Sequence, residues 1–269
     1  MNPKVFQKRK PFAVFSHYDP DAAAYFAVVA SRGGSISTAR KVKINDGIIY
    51  LKTEGQFSLL DRLCIYVNTD EVAALTSMVN PSVNISEVVN SPTFTPEVGY
   101  VFNGTTQYLK TRFTPSVNGV NFTLASAMFG AYFSNLPSGD GSRINLGVTD
   151  IASGTIFFAA LSANYSEVRT GSISGGVSAN VAGMAVGNCF GYNAGVNGGV
   201  LIGGISSNVY ASQSVTQLTT KEVFIGALNN NDTGASNFFF GGAQKYHIFG
   251  SGSVNMVKLN FAMNNYFLA

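Results

Sequence analysis

Tryptophan is absent from this chain of 269 residues, and cysteine and histidine occur only twice each. Cys64 and Cys189 lie far apart in unlike surroundings, which argues against a disulfide framework and against a cysteine-based zinc site. His17 and His247 cannot by themselves build a transition-metal site, and no G-x-S-x-G elbow stands ready to use either in a nucleophilic triad. Charge is also scarce. Asp, Glu, Lys and Arg make up 12% of the chain, whereas glycine alone fills 29 positions. Polarity carried by Asn, Ser and Thr suits a surface that touches neighbouring protein copies or sugars. No apolar window approaches the length of a membrane span, and no charged-then-apolar leader opens the sequence. Without a secretory route, the N-x-S/T matches at Asn84, Asn103, Asn121, Asn164 and Asn231 read as by-products of composition.

What charge there is sits unevenly. Nine basic residues precede Asn45 or follow it up to Lys52, against Asp19, Asp21 and Asp46, a local balance of +6; the remainder carries eight basic and eleven acidic residues, or −3. Lys4, Lys8, Arg9 and Lys10 open the chain, interleaved with Phe6, Phe12 and other apolar residues. Residues 1–18 therefore read as a basic and aromatic arm that docks on a partner, with a solvated tail as the plain alternative. Nothing later extends the basic stripe, which argues against nucleic acid as that partner.

Residues 19–84 read as a small helical region. Asp19 is a good N-cap, Pro20 sits where its missing N–H costs nothing, and residues 22–30 are rich in helix formers before Gly33 and Gly34. A second helix is expected from Ser35 or Ser37 to Leu51 or Thr53, with Ile44, Ile48 and Leu51 on one face and Gly47 weakening its interior. Residues 59–63 read as helix or strand, Cys64 as a small core residue, and Thr69 as the cap of a turn through Ala73 to Leu75.

From Pro92 the period changes. Short runs of Val, Ile, Phe and Tyr alternate every eight to twelve residues with Gly, Asn, Ser or Asp-Gly, from 98–102 through 155–161 to 246–248. So many short strands imply a mainly β fold, an antiparallel two-sheet jelly-roll sandwich over 85–269. The Gly-rich stretch 191–204 reads as a hairpin rather than a phosphate cradle, since no P-loop or G-x-G-x-x-G is present. Ser253 is expected to cap a C-terminal helix with Val254, Val257 and Phe261 on its packed face. Phe261, Met263, Tyr266, Phe267 and Leu268 are apolar for a free end, which points to a homo-oligomer contact (trimer or dimer) or to a cover over the chain's own sandwich.

Residues for chemistry are sparse. Asp140, Asp150, Glu167 and Glu222 stand singly, with no E-x-D-x-E array on a strand such as paired-carboxylate hydrolysis would need. Asn229 to Asp232 and Ser138 to Gly141 offer oxygens, but they read as turns without the acidic spacing of a calcium loop. A sugar platform would have to use Tyr108, Tyr132, Tyr165, Tyr192 or Tyr210. No catalytic residue, metal site or cofactor is assigned.

At Leu59-Leu-Asp-Arg-Leu-Cys-Ile-Tyr66, Val79-Asn-Pro81, Val89-Asn-Ser-Pro-Thr-Phe-Thr95 and Gly99-Tyr-Val-Phe-Asn-Gly104 the chain resembles phage virion structural proteins with a concanavalin A-like, laminin-G-like jelly roll. The resemblance continues through Tyr108-Leu-Lys-Thr-Arg-Phe-Thr-Pro-Ser116, Asn118-Gly-Val-Asn121 and Phe224-Ile-Gly-Ala-Leu-Asn-Asn230. It implies a non-enzymatic virion surface component, a fibre, spike or tail/capsid accessory protein, made in the host cytoplasm and serving assembly and host attachment. Its implied partners are other virion proteins and a host-surface glycan. A glycan-binding, lectin-like module is the alternative function, and a sandwich glycosidase the one after it.

Overall fold

The structure, a computed structural model, describes residues 18–133, 143–150, 155–161, 166–172, 187–194, 197–202, 205–211, 217–230 and 239–269. The expected arm residues Lys4, Phe6, Lys8, Arg9, Lys10 and Phe12 lie outside them, as do His17, Asp140, Asn164, Tyr165, Asn231 and Asp232.

Two capped helices come first. In α1 (Pro20–Ser31) the Asp19 side chain accepts from the Asp21 N–H at 3.0 Å, and in α2 (Thr38–Thr53) the Ser37 hydroxyl accepts from the Arg40 N–H at 3.2 Å. Lys52, in the last turn of α2, reaches both Asp19 and Asp21 at 2.5 Å and ties the two helices together. A 3₁₀ turn (Phe57–Leu59) then leads into β1 (Leu60–Ile65) and α3 (Glu71–Leu75). The cap of α3 is Asp70, whose carboxylate accepts from the Val72 and Ala73 N–H groups. Thr69, expected there, instead bridges Ser35 and Ser37, because its hydroxyl is held by the loop before α2.

Short strands follow: β2 (Glu87–Val89), β3 (Thr93–Thr95), β4 (Gly99–Val101) and β5 (Tyr108–Lys110), then the one-turn α4 (Pro115–Asn118). The long strands are β6 (Ser126–Phe133), β7 (Arg143–Asp150), β8 (Thr155–Leu161), β9 (Ser166–Ser172), β10 (Gly187–Ala194), β11 (Asn197–Ile202) and β12 (Ile205–Ala211). Then come β13 (Phe224–Ile225), β14 (Leu228–Asn230), β15 (Ala243–Gln244) and β16 (Tyr246–Gly250), and the chain closes with α5 (Met256–Ala262) and a π-helical turn (Met263–Phe267).

The strands form the expected antiparallel two-sheet jelly-roll sandwich. One sheet runs β1-β16-β6-β10-β11-β12 and the other β2-β5-β13-β7-β8-β9, with β14 added parallel to β7; β15-β4-β3 make a third, small sheet. The Gly-rich stretch is the β10–β11 hairpin, as its glycines suggested. The division expected at residue 84 falls across a sheet: β1, from the supposedly helical part, pairs with β16 near the end of the chain. Both faces of β1 are buried, the charged Asp61 and Arg62 included, so its sequence does not alternate between apolar and polar residues and carries no period to separate strand from helix.

β1 also explains why the molecule has three layers. Its register shifts at Asp61, and beyond that bulge Arg62, Cys64 and Tyr66 point between the sheets while Leu63 and Ile65 point the other way. The inter-sheet core gathers Cys64, Tyr66, Phe129, Phe249, Leu109, Leu146, Val148 and Ile225. On the opposite face of the β1-containing sheet, Leu63, Ile65, Met128, Phe190 and Ile248 meet a helical layer made by Tyr25, Val29, Ile44, Ile48, Leu51, Leu259 and Phe267. Cys64 and Cys189 are buried free thiols, and burial pushes Cys189 up to about 12.

The last helix packs differently from expectation. Asn255, not Ser253, is its cap, accepting from the Val257 and Lys258 N–H groups, which rotates the register. Met256, Leu259 and Ala262 are buried, whereas Val257 and Phe261 face outward. Among the residues expected to contact another copy, Met263 and Phe267 are fully buried within the chain itself and have no surface to offer. Phe261 and Tyr266 stay at the surface, where they meet Tyr50 at ring-centroid distances of 5.1 and 5.6 Å.

Candidate functional site

Two polar clusters contain a buried arginine, one sealed between the sheets and one open. In the sealed cluster, Arg62 Nε donates to His247 Nε2 at 2.9 Å and its Nη2 to the Ser86 hydroxyl at 3.0 Å. Accepting at Nε2 leaves the proton of the neutral imidazole on Nδ1, which faces the Tyr66 hydroxyl at 2.5 Å. The expectation that His247 is a packed, hydrogen-bonded sheet residue therefore holds. Desolvation, with the Arg62 charge beside it, drives the His247 pKa well below the ordinary histidine value.

That depression has a measurable consequence. The unfolded chain takes up the imidazole proton near pH 6.5 and the folded chain only at much lower pH, so in that window unfolding draws in a proton and stability falls as pH falls. Above pH 6.5 the contribution is complete. His247→Gln can still accept from Arg62 and donate to Tyr66 but does not titrate. From pH 7.5 to 5, urea denaturation should show wild type losing stability more steeply than His247→Gln, by up to about 1.4 kcal/mol per pH unit below 6.5. Parallel pH profiles for the two proteins would rule this out.

The open site lies at the N-terminal end of α2. The buried stripe of that helix is Ile44, Gly47, Ile48 and Leu51, and stepping back one turn from Ile44 places Arg40 on the same face. Arg40 is 2% exposed, and its Nη2 donates to the backbone oxygen of Phe267. Its Nε and Nη1 have no hydrogen-bond partner. Burial lowers the pKa of this guanidinium, and nearby Glu97 restores it only in part.

A cavity of about 390 Å³ opens against Arg40, walled by Ser37, Ala39 and Lys43 of the α2 entry, Val67 beyond β1, Glu97, and Leu268 with Ala269. Lys43 donates to the backbone oxygen of Ala269 at 2.5 Å and is otherwise exposed. Glu97 sits in the turn joining β3 to β4, closed by the Val98 N–H to the Thr95 oxygen at 3.1 Å. Pro96 precedes it, and Glu97 itself has φ of 59°, a conformation that turns of this kind normally give to Gly or Asn. Holding a carboxylate-bearing residue there costs about 1 kcal/mol or more, and four other non-Gly residues, among them Arg112, share this sign of φ. The walls thus offer two cationic side chains, one carboxylate side chain and the apolar faces of Ala39, Val67, Leu268 and Ala269, an arrangement fitted to holding a polar anion.

Other carboxylates are engaged structurally. Glu87 pairs with Lys110 and Arg112, Glu54 with Lys258, and Glu222, whose pKa is raised by burial, accepts from the Arg112 N–H. Asp150 and Glu167 lie on β7 and β9, and no group of three or more His, Cys, Asp or Glu could hold a metal ion among the described residues. Of the tyrosines considered as sugar platforms, Tyr108 stacks on Phe224 at 4.8 Å, Tyr132 lies under Lys245, and Tyr192 packs against the helical-layer core; Tyr210 lies on β12. Tyr108, Tyr132 and Tyr192 do not line the cavity described above. Sequence reasoning missed Arg40, though its i−4 spacing from Ile44 was a signal that a cation points inward; the contributions of Glu97 and Leu268 come from remote segments and left no local trace. Among the described residues no helix is long and apolar enough to cross a membrane.

No protein-family model matches the chain, and no curated protein matches it. Among solved structures it is similar to Trypanosoma rangeli sialidase in complex with sialic acid, with a TM-score of 0.52, 11% identity, and coverage of 79% of this chain and 34% of that one. Against the same sialidase in complex with 2,3-difluoro-KDN the values are 0.50, 10%, 85% and 40%. Domains LG4-5 of the mouse laminin α1 chain follow at 0.41, with 11% identity over 62% of this chain and 42% of that one. The chain spans little more than a third of the sialidase chain, and at these identities the likeness is one of fold: an antiparallel β-sandwich shared with much larger proteins.

Proposed function

We propose that this chain is a non-enzymatic attachment module of a phage virion surface, a fibre, spike or tail/capsid accessory protein, whose sandwich binds a host-surface glycan through the cavity at the start of α2. The observation that carries the reading is the buried Arg40 guanidinium with two unpartnered nitrogens beside a cavity of about 390 Å³, within the size range of small-molecule sites. Binding rather than turnover is supported by the wall chemistry: Glu97 is its single carboxylate side chain, and the Ser37 hydroxyl is committed to capping α2. The virion setting is supported by the sequence resemblance through residues 59–66, 99–104 and 108–116. In that setting residues 1–18 dock on other virion proteins, and the surface rings of Phe261 and Tyr266 contact another copy of the chain.

The test is an array of bacterial envelope glycans probed with the labelled protein, followed by chromatography of every glycan retained. Retention of glycans whose length is unchanged after prolonged incubation is the expected result. Shortened products would replace this reading with a glycosidase, and an array with no retention at all would end it.

A further inference from the structure

We infer, resting on the glycan-binding reading, that the cavity takes an acidic saccharide of the uronic-acid type, with its carboxylate toward Lys43 and Arg40 and its hydroxyl groups toward Glu97. Arg40 gives the first reason. Its Nη2 bonds to Phe267, but a buried cation whose Nε and Nη1 lack partners is costly, and an anion in the cavity is the group that would offset this. A neutral sugar would leave that charge with only the partial compensation that Glu97 gives it. Lys43 adds a second positive charge on an exposed, rotatable side chain, and the 16-residue α2 directs its N-terminal end toward the same wall.

Glu97 sets the upper limit on ligand charge. A carboxylate on the wall disfavours a dianion such as a phosphate monoester, yet it is a strong acceptor for hydroxyl groups. Ala39, Val67 and Leu268 then provide an apolar surface for the C–H face of a pyranose ring. One carboxylate, several hydroxyl groups and an apolar ring face occur together in a sugar acid. Simple carboxylates lack the hydroxyl groups, and neutral sugars lack the charge.

Saturation-transfer NMR titrations of the full chain with D-galacturonate and D-glucuronate, and with D-galactose, D-glucose and acetate as controls, test this. Both the uronates should bind at least tenfold more tightly than their neutral counterparts and than acetate. Lys43→Gln, at an exposed position, should weaken uronate binding at least fivefold with an unchanged thermal transition; Arg40→Gln should weaken it at least as far and also lower the transition, because the buried Arg40 bonds to Phe267. Equal affinity for galacturonate and galactose would overturn the acidic-ligand inference while leaving glycan binding intact. Acetate binding as tightly as the uronates would overturn the saccharide part. Uronate binding indifferent to Lys43→Gln would place the site elsewhere and overturn the inference. Glycans retained on the array with no uronate bound would overturn this inference alone, whereas a blank array brings down the underlying reading as well.

Discussion

Phe267→Ala is expected to lower the unfolding free energy by about 3–5 kcal/mol, the range for deleting a fully buried aromatic ring. Phe267 is completely buried although only Leu268 and Ala269 follow it, and its ring lies against α2 at Gly47. A Cβ added at Gly47 would sit 2.6 Å from Phe267 Cζ, closer than carbon atoms approach. The helix therefore accepts a glycine, at about 1 kcal/mol relative to alanine, because the ring needs the space. This makes the sign of a second change depend on the first. Gly47→Ala should destabilise the wild type, where the ring must move, and should stabilise the Phe267→Ala protein by about 1 kcal/mol, where only helix propensity remains. Urea denaturation of the four proteins in this cycle gives the coupling directly. A Phe267→Ala loss under 1 kcal/mol, or the same Gly47→Ala effect in both backgrounds, would show that the segment does not seal the helical layer.

Asp61→Ala should cost about 2–4 kcal/mol. The bulge in β1 turns the 7%-exposed Asp61 carboxylate toward the loop before β6, where it accepts from the Phe122 N–H at 2.7 Å, the Asn121 N–H at 2.9 Å and Asn121 Nδ2 at 3.1 Å. Hydrogen bonds to a charged group contribute about 1.5–3 kcal/mol each, and truncation removes the carboxylate that the Phe122 and Asn121 N–H groups donate to. The loop matters to the core because it places Phe122 edge-on to Phe113 at 5.7 Å, and Phe113 in turn stacks on Phe249 at 4.5 Å. Asp61→Asn, which keeps one acceptor oxygen, should lose about half as much. Hydrogen exchange at the Phe122 amide, together with denaturation, checks both; an Asp61→Ala protein within 0.5 kcal/mol of wild type would mean that the carboxylate is replaced by solvent.

The same bulge shows where the sequence stopped being legible. Nothing in the run from Leu60 to Ile65 announces a register shift, and a strand buried on both faces has no alternation to display. The small β2, β3 and β15 strands were missed for a related reason: two or three residues are too few to carry a period, and each is a strand only because its partner lies beside it. The last helix was found but turned, since Ser253 and Asn255 are both competent caps and the choice rests on which face Gly47 and Ile44 accept. The cavity was invisible for the strongest form of this reason. Arg40, Val67, Glu97 and Leu268 are brought together from four segments, and only the first carried even a hint in its spacing.

By itself the sequence determined what is local: the caps at Asp19 and Ser37, the lengths of α1 and α2, the bounds of strands such as β8, the β10–β11 hairpin and, from the sum of the short strands, the two-sheet sandwich. Those features depend on dihedral preference, capping and side-chain period, all of which act within a few residues. Tertiary structure alone decided that β1 joins β16, that the chain's last turn seals α2, and that a buried guanidinium faces an open cavity. Each of these depends on contacts between residues more than a hundred positions apart, whose free energy exists only once the chain has folded and no local pattern can encode.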